Sequence, residues 1–177
     1  SGRYSRPQGR PAPVVAQRNP ALERAMPEMP VAEPIGDDGL KRLEEAFVWA
    51  AVLAERAGFD GVDMKAVHGY LVAELLGART RPGLYGGSYE NRTRFLRNCV
   101  EGMRQTLGRN TLVVSRLTVL EPSDFPYGWG VAEKDGPSRM RANRLCSRRT
   151  KQRFFRGRIA KKAGLNQPFR ALALTSE

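Results

Sequence analysis

Apolar residues along the chain alternate between two spacings, and those spacings predict its elements. Leu40, Leu43, Phe47, Ala50 or Ala51, and Ala54 recur every three or four positions, which predicts an amphipathic helix. Asp37 or Asp38 is placed to cap it, and Gly58 to end it. The stretch 60–65 then fits a short strand. Its pleat turns Val62 and Met64 to one face and Asp63 and Lys65 to the other. A second helix is predicted over 88–108, with Ser88 as its cap and Glu90 in the first turn, where the helix dipole favours negative charge. Its apolar stripe is Phe95, Cys99 or Val100, Met103 and Leu107. A second strand, rich in Val and Leu, covers 111–117. Upstream, residues 1–36 hold seven prolines and no apolar period. Proline removes a backbone donor and restricts the residue before it, so this segment is predicted to be an extended loop without helix.

Helix, strand, short helix, helix and strand in succession imply an α/β fold with parallel strands. Open doubly wound sheets and (β/α)8 barrels share that rhythm. The polar pleat face holding Asp63, Lys65, Val114 and Arg116 leans towards the barrel, where polar inward residues gather at the C-terminal strand ends. No glycine-rich dinucleotide or phosphate-loop fingerprint supports the open sheet.

Composition divides the chain. The net charge of +12 suggests a nucleic-acid partner until it is located. Residues 1–132 carry 17 Lys and Arg against 15 Asp and Glu, whereas 133–177 carry 13 against 3. Three segments follow: a Pro-rich loop (1–36), an α/β part (37–132) and a basic tail (133–177) of irregular or weakly helical character. The tail reads as a nucleic-acid-binding arm or as a non-native C-terminus, and the abrupt change of composition favours the second. Apolar runs are too short to span a bilayer and no secretory signal opens the sequence, so a cytoplasmic location is expected. Cys99 and Cys146 have no neighbouring Cys or His, which points to free thiols and away from zinc.

The densest group of reactive side chains follows the first strand: Lys65-Ala66-Val67-His68-Gly69-Tyr70. A phenol can donate a proton, while an imidazole and an ammonium can hold a carbonyl oxygen as charge develops on it. A turn with an incidentally satisfied histidine and a packed tyrosine fits the same spacing.

Larger motifs extend this picture. Arg56-Ala57-Gly58-Phe59-Asp60-Gly61-Val62-Asp63, then His68-Gly69-Tyr70-Leu71, then Tyr85-Gly86-Gly87-Ser88-Tyr89-Glu90-Asn91-Arg92-Thr93-Arg94-Phe95 resemble, in order and spacing, the old yellow enzyme family of flavin oxidoreductases. Ser1-Gly2-Arg3 resembles the end of that family's third strand, and 124–131 one branch's continuation, so the likeness runs from residue 1 to about 131. It implies a TIM barrel binding FMN, with NAD(P)H as electron donor and an activated alkene or similar electron-poor molecule as substrate. Tyr70 matches the family's proton donor, and His68 the second of a pair that bonds the substrate's carbonyl or nitro group. Arg116 matches an arginine that contacts FMN. Lys65 stands where the first of the pair is usually histidine. A lysine there still donates but is longer and more strongly hydrated, and a solvated or Asp63-paired lysine is the alternative.

A (β/α)8 barrel needs about 250 residues, so the family-like part is expected to cover about strands 3 to 5 with their helices, as an internal fragment. A non-catalytic remnant of the family is the alternative function.

Overall fold

The computed structural model describes residues 14–25, 27, 31–121 and 123–131, and the backbone of 171–174. Ser1-Gly2-Arg3, Cys146 and the basic stretch 139–162 lie outside the described residues. The elements run α1 (Pro20–Ala25), α2 (Asp37–Arg56), β1 (Gly61–Ala66), α3 (Leu71–Leu76), α4 (Tyr89–Thr106), β2 (Leu112–Leu117) and β3 (Ala171–Leu174). β1 is central in a three-stranded parallel sheet of order β2-β1-β3. The described residues thus form a partial parallel α/β sheet, as expected of part of a barrel.

α2 packs along α4, and both lie over one face of β1. Leu40, Phe47, Ala51 and Ala54 of α2 meet Phe95, Cys99 and Met103 of α4, with Val62, Met64 and Ala66 of β1 beneath them. Phe95 is fully buried, with its ring edge-on to Phe47 at 5.7 Å and to Tyr85 at 6.4 Å between centroids. These are the faces expected from the spacing. Leu43 and Val100 sit at the margin of the cluster. Cys99 is a free, buried thiol, and burial raises its pKa.

Three details depart from expectation. Neither Asp37 nor Asp38 caps α2: the cap position is Gly36, and no side chain bonds there. The Asp37 carboxylate instead accepts from Arg81 Nη2 at 2.8 Å and from the Leu84 amide at 2.7 Å. Two bonds, one of them to a guanidinium, engage this carboxylate more strongly than a single cap bond would. Ser88 does cap α4, accepting from the Asn91 amide at 3.2 Å.

The Pro-rich segment, expected to be extended throughout, contains α1. Pro20 opens this helix, and the Asn19 side chain caps it by accepting from the Leu22 amide at 3.1 Å. Proline suits a first helical turn because its missing N–H would be unpaired there anyway. Described residues on either side of α1 are tethered: Ile35 donates to the Val15 carbonyl at 3.0 Å, and the buried Arg81 donates to that of Ala16 at 2.7 Å.

In the tail, expected to be irregular or weakly helical, residues 171–174 form β3. Gly61 pairs with Ala171 and Met64 with Leu174. Backbone pairing with the free edge of β1 supplies what the tail's composition does not. No helix among the described residues is long and apolar enough to cross a membrane, and none of their Cys, His, Asp and Glu side chains cluster to hold a metal.

Candidate active site

The sheet register decides which polar side chains stand together. Asp63 pairs with Val114 and Lys65 with Arg116, so all four share the pleat face turned away from α2 and α4. Asp63 and Arg116 join across the strands, Oδ2 to Nε at 2.6 Å, with the two side chains 17% and 45% exposed. Asp63 Oδ1 is buried without a hydrogen-bond partner. Arg116, not Lys65, is therefore the ion-pair partner of Asp63.

Lys65 turns elsewhere. Its Nζ lies 3.4 Å from the centroid of the Tyr70 ring, a cation–π contact of close range. Tyr70 precedes α3 in extended backbone geometry, and its carbonyl accepts from the Glu74 amide at 2.9 Å. Between them the chain reverses at His68 and Gly69, both at φ 65°. A left-handed residue other than glycine costs on the order of 1–3 kcal/mol, sustained only by surrounding contacts.

One such contact comes from the loop after β2. Glu121 Oε1 accepts from the Gly69 amide at 3.3 Å. Burial raises the pKa of this carboxyl group, and nearby Glu74 adds to the rise; the Gly69 amide and the His68 imidazole and amide oppose it. The loop itself is anchored. Thr118 donates to the Ala66 carbonyl at 3.2 Å, and Trp129 Nε1 donates to that of Thr118 at 3.0 Å. The Glu121 amide donates to the Trp129 carbonyl at 3.0 Å.

The structure thus places Lys65 against Tyr70 and, by register, beside Arg116, with the exposed His68 in the turn between Lys65 and Tyr70. All four lie at or beyond the C-terminal ends of parallel strands, where catalysis in α/β barrels takes place. Glu121 and the pairing of Asp63 with Arg116 were not foreseen from the sequence, which offered Lys65 as the partner of Asp63. Glu121 lies outside every motif, 52 positions from its partner, so nothing local marks it. The apolar groove lined by Val48, Trp49, Val52 and Thr106 holds none of these residues.

FMN becomes anionic on reduction, and a guanidinium at a strand end fits that charge: Arg116 supplies one, held by its bond to Asp63.

Comparison with known proteins identifies relatives of this chain. The sequence model of the NADH:flavin oxidoreductase / NADH oxidase family matches residues 4–134. An NADPH dehydrogenase of Clostridium acetobutylicum is 35% identical over 98 residues, covering 54% of this chain and 28% of that protein. An NADPH dehydrogenase of Bacillus pumilus is 46% identical over 70 residues, covering 38% and 21%. Among solved structures, histamine dehydrogenase from Rhizobium sp. 4-9 superposes with a TM-score of 0.50 at 34% identity, over 56% of this chain and 15% of that one. The chain therefore spans less than a third of the length of each of these relatives.

Proposed function

Because this chain belongs to the NADH:flavin oxidoreductase / NADH oxidase family, we propose that it carries part of an FMN site for NAD(P)H-dependent reduction of activated alkenes or similar electron-poor substrates. FMN with NAD(P)H as electron donor is the family's chemistry. When bound, FMN supplies the hydride. The remaining roles fall to side chains of this chain. Tyr70 donates the proton to the substrate carbon. His68 and Lys65 donate hydrogen bonds to the carbonyl or nitro oxygen on which negative charge grows. Arg116 faces the cofactor, and its pairing with Asp63 fixes the plane of the guanidinium.

The observation that carries this reading is the Lys65–Tyr70 contact at the end of β1, with Arg116 in register beside it. An ammonium seated 3.4 Å from the ring centroid holds the phenol in one orientation. It also replaces the histidine usual in the family with a group of firmer charge and longer reach.

Titration of the full chain with FMN tests the reading. Saturable quenching of flavin fluorescence at one-to-one stoichiometry is expected, weakened at least about tenfold in Arg116→Ala, the loss of roughly one charge-assisted hydrogen bond. An unchanged flavin spectrum at all concentrations overturns it in favour of a non-catalytic member of the family.

A further inference from the structure

Two consecutive residues with left-handed backbone, His68 and Gly69, separate Lys65 from Tyr70. Turns of this kind bring successive amide N–H groups into one concavity, which attracts an anion. Here the anion is a side chain of the same molecule. Glu121 Oε1 accepts from the Gly69 amide at 3.3 Å, and the neighbouring His68 amide and imidazole act on the same carboxylate. The carboxylate is half-buried and arrives from a strand-end loop whose backbone is tied to Trp129 and, through the Trp129 indole, to Thr118. It is therefore a fixed group against which the turn is held.

We propose that Glu121 is a positioning residue: its carboxylate gathers the amides of the 68–69 turn and so sets where the His68 imidazole and the Tyr70 phenol stand. The functional half of this proposal rests on the reading that those two groups meet the substrate. The structural half does not.

Loss of the Glu121 charge releases the turn. His68 then loses a contact that helps hold its uncommon backbone conformation, and the imidazole shifts relative to the phenol. The charged groups acting on Glu121 are His68 and Glu74, the second of which lies on α3 and opposes ionisation of the first carboxylate.

Amide NMR of the full-length chain decides the structural half without any variant. The Gly69 amide proton is expected to shift downfield as a carboxylate ionises, with a midpoint above the ordinary glutamate range. That response is lost in Glu121→Gln. A Gly69 amide that ignores pH through the carboxylate range, or that behaves identically in Glu121→Gln, overturns the proposal. The functional half is read from reoxidation of the reduced, FMN-loaded chain by a simple enone. Glu121→Gln slows it about tenfold, a sub-ångström misplacement of donor groups, whereas Glu121→Asp, which keeps the charge, recovers part of the rate. Equal rates in Glu121→Gln and the unaltered chain overturn the positioning role. A chain that takes up no FMN refutes the proposed activity instead, and the Gly69 titration then decides the role of Glu121.

Discussion

At the scale of single residues, Arg81 is the strongest tie between the segment before α2 and the rest of the molecule. Its guanidinium is buried and donates to the Ala16 carbonyl at 2.7 Å and to Asp37 at 2.8 Å, while its Nε finds no partner. Arg81→Met removes the charge, strands the Ala16 carbonyl and is expected to cost about 3 kcal/mol in urea unfolding. Asp37 adds a pH dependence. Burial alone would raise its pKa, but the Leu84 amide and the Arg81 guanidinium prevail and hold it below the ordinary value. Its contribution is thus complete above the unfolded pKa of about 4 and fades as pH falls through the lower, folded value. The stability gap between the unaltered chain and Asp37→Asn should close on acidification below about pH 4, measured by urea unfolding at a series of pH values. The position of Lys65, His68, Tyr70 and Arg116 at the strand ends was legible in the sequence, because three of them fall within six consecutive residues and the fourth on a predicted strand; the roles proposed for them come from the family resemblance. Asp37–Arg81 and Glu121–Gly69 join positions 44 and 52 apart, beyond the reach of any local spacing.

At the scale of elements, α4 holds the layer together. Phe95 is fully buried between Phe47 and Tyr85. Phe95→Ala leaves a cavity that the rigid β1 floor and the α2 wall cannot collapse, at a cost of about 3–5 kcal/mol. Guanidinium unfolding followed by far-ultraviolet dichroism measures that loss. A cost below about 1 kcal/mol would mean that α4 is not the keystone of the layer. Both long helices and β1 were legible because an element facing a core repeats its apolar residues, and β2 because it is rich in Val and Leu. α1 was not: six residues give no period, and the prolines around it argue for extended chain. Only the Asn19-Pro20 pair carries the helix start.

At the scale of the whole molecule, the sheet is completed by the part of the sequence that looked least like it. Four residues, 171–174, are too short for any periodicity and follow a stretch dominated by Arg and Lys, so their pairing with β1 was not legible. Removal of residues 171–177 uncovers one edge of the central strand. Backbone amides of 61–64 are expected to exchange with deuterium about tenfold faster or more, while those of α4 keep their protection. Unchanged exchange in β1 would show that β3 does not protect it. Among the described residues no strand pairs with the other side of β2, and Val114, Leu117 and, just beyond the strand, Val119 are 43%, 52% and 88% exposed. A parallel edge left unpaired beside apolar side chains is a self-association hazard.

The position of β3 also sets an order of assembly. Gly61 meets Leu112 on one side and Ala171 on the other, so the second closure spans roughly twice the sequence of the first. Doubling a loop adds only about 0.6 kcal/mol of closure entropy, so the penalty is one of time. A ribosome adds about 5–20 residues each second. β1 and β2 therefore emerge some 3–10 s before the strand that covers the far edge of β1 has been made. During that interval the edge of β1 that β3 later covers is without that strand, the window in which a nascent-chain chaperone has most to protect.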